Sequence, residues 1–169
     1  MKHSIIILII GATMLFFNCS ENQPTSPELN QSDLVTNTMA KKPAPKLIGE
    51  IYCLYEDNHP FYWVGTVDFG DGIPCGITYE ALTAKDVGNV HHFTENFVIY
   101  NLNDPEEIYL SGSDFGVLAW SNLEGRMNGV VEVANPPYEE WLGRKVHMGG
   151  AVIMGPAGPF AFDGTIRIN

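Results

Sequence analysis

The chain has 169 residues, with 9 Lys and Arg against 20 Asp and Glu and a formal net charge of −11 at pH 7. Between Leu47 and Leu123 there are twelve acids and one base, Lys85. Such a surface repels phosphate backbones and anionic headgroups, which argues against nucleic acid as a partner. The default for this charge is a solvated acidic face.

In chain order, the first element is Met1-Lys2-His3-Ser4 followed by an apolar run from Ile5 to Phe17 and the string Asn18-Cys19-Ser20. One positive charge, a short apolar stretch and a polar segment match the layout of a secretory signal. Thirteen helical residues span roughly 20 Å, short of the roughly 30 Å hydrocarbon core, so a permanent spanning helix is the weaker reading. Leu15-Phe16-Phe17-Asn18-Cys19 resembles the lipobox of bacterial lipoproteins. The resemblance implies removal of residues 1–18, lipidation of Cys19, and tethering by several acyl chains, enough for a stable anchor. Ser20 after the cysteine implies the outer membrane as destination.

Residues 19–46 follow as lipidated cysteine and linker, rich in Glu, Asn, Gln, Ser, Thr and Pro and ending Lys41-Lys42-Pro43-Ala44-Pro45-Lys46. No apolar residues recur there at a helix or strand period, so the segment buries too little surface to offset ordering. Residues 47–169 have the length of one domain.

Within that domain alternation is the main signal. Residues 61–69 place Phe61, Trp63, Gly65, Val67 and Phe69 on one face. Residues 126–133 do so with Met127, Gly129, Val131 and Val133, and residues 145–154 with Val146, Met148, Gly150, Val152 and Met154. Residues 160–168 place Phe160, Phe162, Gly164, Ile166 and Ile168 together. Period two with one polar face predicts antiparallel strands covering a core. Further strands are predicted at 47–55, 76–83, 90–100, 107–110 and 116–121, separated by turn residues such as Asp71-Gly72 and Gly155-Pro156-Ala157-Gly158-Pro159. About nine short strands predict an all-β fold, a small antiparallel β-barrel with a β-sandwich as the alternative. Interior glycines at 49, 65, 129, 149, 150 and 164 favour the barrel, since glycine permits sharp bending. One helical turn is predicted at 137–142, where Tyr138, Trp141 and Leu142 would close one barrel end or pack on the sheet.

Cys53 and Cys75 remain after Cys19 is set apart, and an exported pair forms either a disulfide or two buried thiols. Asp68-Phe69-Gly70-Asp71-Gly72 resembles the turn string of PKD-type extracellular β-sandwich domains, which also carry a later His-x-Tyr strand loosely echoed by His91-His92-Phe93 through Tyr100. That resemblance covers about residues 47–102 and implies a structural or adhesive role; a tight Asp-Gly hairpin explains the same string.

No metal or cofactor is expected. His91 and His92, adjacent on a strand, point to opposite faces, so only one could join His147. The acidic turns at Asp57-Asn58, Asp68-Gly70-Asp71 and Asp104-Glu106-Glu107 lack the ordered six to eight oxygens of a calcium loop. No catalytic residue is assigned: Ser111-Gly112-Ser113 lacks the nucleophile-elbow pattern, and neither cysteine has flanking signatures of a thiol nucleophile. The aromatic run Tyr52, Tyr55, Phe61, Tyr62, Trp63 is a candidate ligand face for a small molecule or glycan.

The function read from these features is a membrane-tethered exported lipoprotein with a barrel that binds a small-molecule, glycan or protein ligand. One alternative is a periplasmic or cell-surface enzyme, an isomerase or carbohydrate-active domain, using inward-facing acids. Glu95, buried near His91 or Asp114 in a pocket, would favour it. The other is the PKD-like module, which an open sandwich without a cavity would favour.

Overall fold

A computed structural model describes residues 44–56 and 62–169. The expected signal 1–18, Cys19, the linker through residue 43 and the Asp57–Pro60 turn lie outside the described residues. Eight strands follow in order: β1 (Leu47–Glu56), β2 (Tyr62–Asp68), β3 (Cys75–Val87), β4 (Val90–Asn101), β5 (Asp104–Ala119), β6 (Glu124–Ala134), β7 (Lys145–Gly155) and β8 (Gly158–Ile168), with one 3-10 turn at Glu139–Trp141 between β6 and β7. Each strand is antiparallel to the next, and β8 returns to β1 to close the barrel. The barrel form of the all-β expectation therefore holds.

The strand count is eight rather than nine. The two segments expected at 107–110 and 116–121 are one continuous strand, β5, across Ser111-Gly112-Ser113-Asp114-Phe115. Small polar residues and glycines there read locally as a break. Their neighbours on β4 explain the continuity: Phe97 is paired with Gly112 and Phe93 with Gly116. A Cβ at Gly116 would lie 2.3 Å from the Phe93 ring and one at Gly112 2.9 Å from the Phe97 ring. The glycines are the seats of those rings.

The interior is filled at one end. Ile51, Ile77, Phe97, Ile99, Leu110, Val131, Val146, Ile166 and Ile168 are essentially inaccessible to solvent, and eight strands give a bore that side chains of this size fill. Tyr138 and Trp141 cap this half. The Tyr138 hydroxyl donates to Asp71 Oδ2 at 2.6 Å, its ring meets Phe69 and Tyr109 at 5.4 and 5.6 Å, and both residues join the core. Leu142 does not join them and is 59% exposed. With three residues per turn, positions 138 and 141 share a face and 142 falls off it.

Two further departures come from bulges. The register shifts between Ile153 and Met154 and between Ser111 and Gly112, and Met154 and Val133 end up 45% and 44% exposed rather than inside. An extra residue in one strand flips the alternation beyond it.

Candidate functional site

The other half of the barrel is hollow. A cavity of about 750 Å3 opens at the end carrying the β3–β4, β5–β6 and β7–β8 turns. Its walls are aromatic and aliphatic: Tyr55, Trp63, Phe93, Trp120, Phe160 and Phe162, with Leu118, Met127 and Val152 between them. From the candidate aromatic run, Tyr55 and Trp63 reach the wall, paired across β1 and β2 with ring centroids 5.4 Å apart. Tyr52 points outward and is 46% exposed; Phe61 and the Tyr62 side chain lie outside what is described.

Polar groups sit at two levels. Deep in the bore, Glu95 on β4 lines the cavity and is directly paired with Asp114 on β5, which places their side chains on the same interior face about 5 Å apart at Cβ. Both are buried, at 5% and 6% exposure. Neither carboxylate oxygen of Asp114 has a hydrogen-bond partner among the described residues. On the far side of Asp114 stands Gly129, where a Cβ would come within 2.5 Å of the Asp114 Cβ. Glycine at this position leaves the carboxyl its place inside the barrel. Desolvation by burial pushes Glu95 up to about 9, reinforced by the Asp114 charge, and desolvation pushes Asp114 up to about 7. The pair thus holds on to a proton in neutral solution, as burial disfavours the ionised form. Beside it, Tyr79 donates to Met148 Sδ at 3.1 Å, and its hydroxyl is raised by burial.

At the mouth, Asp86 near the end of β3 accepts the Trp120 Nε1–H at 3.0 Å through the same oxygen that lies 2.9 Å from His91 Nδ1. The Trp120 and His91 hydrogen bonds lower the Asp86 carboxyl. The His91 ring also lies 5.6 Å from Trp120 and 5.9 Å from Phe93. His91 and Glu95 share one face of β4, but four residues of strand separate them by about 13 Å. They stand at opposite depths of the cavity and do not converge on one point.

The structure thus brings Glu95 together with Asp114 and leaves His91 at the rim. His92 faces outward, and His147 is on the outer face of β7, its Nδ1 2.7 Å from Asn128 Oδ1. Among the described residues no three His, Cys, Asp or Glu side chains are grouped to hold a metal ion. Cys53 on β1 and Cys75 at the start of β3 are both buried free thiols. Burial, then the Glu95 charge, pushes Cys53 up to about 12, which leaves it inert as a nucleophile. The Asp68–Gly72 string forms the β2–β3 turn. Gly70 and Gly72 have φ of 74° and 82°, and Asp68 and Asp71 each accept the backbone N–H two residues on.

Sequence reasoning singled out Glu95, His91 and Asp114 but missed the link from Asp86 to Trp120, which spans two strand pairings and leaves no local pattern. The chain matches no protein-family model, and no curated protein or solved structure is similar to it.

Proposed function

We propose that this chain is an exported lipoprotein, held at the bacterial outer membrane through Cys19, whose barrel binds a small and largely apolar molecule. The observation that carries the binding reading is the cavity of about 750 Å3 with aromatic walls in the otherwise packed barrel. That volume falls in the range that takes up small organic ligands, and a few placed polar groups in an apolar wall are the usual composition of such sites. A closed barrel with a hollow end also supports binding over a PKD-like structural or adhesive role. The tether rests on the N-terminal string alone.

Trp63 and Trp120 both line the cavity, so their fluorescence reports on occupancy. Titration with naphthalene-based probes should quench it saturably, and Val152→Phe, which narrows the bore, should weaken binding at least about tenfold. Probe binding unaffected by that change would refute the site. For the tether, Cys19→Ser should release the protein from the membrane fraction and abolish acyl labelling.

A second reading, proton-transfer catalysis such as an isomerase, is favoured by one observation. Glu95 sits in the cavity directly opposite Asp114, and their raised pKa values suit a shared proton near neutrality. If it is right, ligand recovered from the protein in deuterated buffer carries deuterium, and that from the Glu95→Gln variant does not.

A further inference from the structure

The floor of the cavity has an electrostatic peculiarity that the binding reading leaves unexplained. Four acidic groups face or adjoin the same interior volume: Glu95 on β4, Asp114 on β5, Tyr79 on β3 and Cys53 on β1. Each is close enough to feel at least one of the others: Asp114 raises Glu95, Glu95 raises Cys53, and both carboxyls raise Tyr79. No Lys or Arg lines the cavity. Asp114, 6% exposed, keeps both oxygens without a hydrogen-bond donor among the described residues. A buried carboxyl in this situation is costly, and native proteins normally satisfy such groups. Above the floor the walls present the faces and edges of Trp63, Phe93 and Phe162, surfaces that attract cations when desolvated.

We infer that the cavity is selective for an organic cation, a protonated amine on an aromatic or aliphatic body, whose ammonium group sits against Glu95 and Asp114 while the body packs on the aromatic walls. The ammonium supplies the donors and the positive charge that the floor lacks. A carboxylic acid ligand would add a further negative charge to a site that has no cation to meet it. The inference rests on the cavity being the binding site and narrows what it takes. His91 at the mouth is held against Asp86 and stands about 13 Å from the floor, so it does not neutralise the pair.

The test uses the full mature chain and three probes of one shape: 2-naphthylmethylamine, 2-naphthalenemethanol and 2-naphthoic acid, titrated by tryptophan fluorescence and calorimetry. At pH 7.5 the amine should bind at least about tenfold more tightly than the alcohol, and the acid most weakly. Binding an ammonium requires at least one carboxyl of the pair to be ionised, and Asp114 is the less strongly raised of the two. Lowering the pH to 5, below the range into which both carboxyls are raised, should therefore weaken the amine at least about tenfold and leave the alcohol unchanged. The double variant Glu95→Gln, Asp114→Asn, its fold checked by circular dichroism, should lose most of the amine preference and its pH slope. Equal affinities for amine and alcohol in the native protein overturn the inference and leave the cavity reading standing. A pH slope that survives in the double variant overturns it too, by placing the effect at His91. Failure of all three probes to bind overturns the cavity reading with it.

Discussion

Replacing Glu95 with glutamine gives the sharpest check on the buried carboxyl pair. The amide keeps the side chain's size and removes its titration. Glu95 is raised from the ordinary 4.5 to about 9 by burial and by Asp114 across the strand pair. A carboxyl whose pKa rises on folding contributes stability that is complete below its unfolded pKa and is lost as the pH climbs toward its folded one. At 1.36 kcal/mol per unit, the loss is about 1 kcal/mol at pH 5 and about 3 kcal/mol at pH 7. The glutamine variant suffers no such loss. Its melting temperature should therefore exceed that of the native protein by a margin that widens from pH 5 to pH 7 by roughly 5–10 °C, taking roughly 3–5 °C per kcal/mol for a domain of this size. Thermal unfolding followed by circular dichroism at half-unit pH steps reads this directly. A margin that stays constant across the range would refute the reasoning, since the carboxyl would then be ionised in the folded state. So would a native protein that gains on the variant as pH rises.

Three further outcomes follow from the packing. Gly129→Ala places a methyl 2.4 Å from the Ser113 carbonyl oxygen and 2.5 Å from the Asp114 Cβ; it should destabilise the barrel by about 1–3 kcal/mol in urea unfolding. Tyr138→Phe removes the donor to Asp71, 2.6 Å away across the closed end, and should lower stability by about 1–2 kcal/mol with the cavity and probe affinity unchanged. Cys53 and Cys75 are buried thiols with raised pKa values, so a thiol reagent at pH 8 should label neither in the native protein and both in denaturant. Labelling of Cys53 at a rate typical of free thiols would refute its burial.

Much of the strand architecture was legible because alternation is local. The faces Trp63, Gly65, Val67 and Met127, Gly129, Val131 point inward as their spacing predicts. So does the face Phe93, Glu95, Phe97, Ile99, which is why Glu95 could be singled out before its surroundings were known. Where reading failed, the missing information was non-local. Ser111–Phe115 looked like a break because its glycines have no meaning without the rings of Phe93 and Phe97 above them. Val133 left the core because the extra residue Glu132 in β6 shifts the register, and Met154 lies where the extra residue Phe160 shifts the register with β8. Leu142 was grouped with Tyr138 and Trp141 on α-helical spacing, whereas the turn is a 3-10 turn.

The acidic composition and an all-β domain of alternating strands are properties of the chain read residue by residue, since charge and period two need no partner to be recognised. The closure of β8 on β1, the packing of one half of the bore and the hollowing of the other depend on how side-chain volumes from eight strands meet. The same holds for the meeting of Glu95 with Asp114, and of Asp86 with both His91 and Trp120. Those contacts are set by register between strands, and a shift of one residue in any pairing would turn the carboxyls and the rings to the opposite face of the sheet.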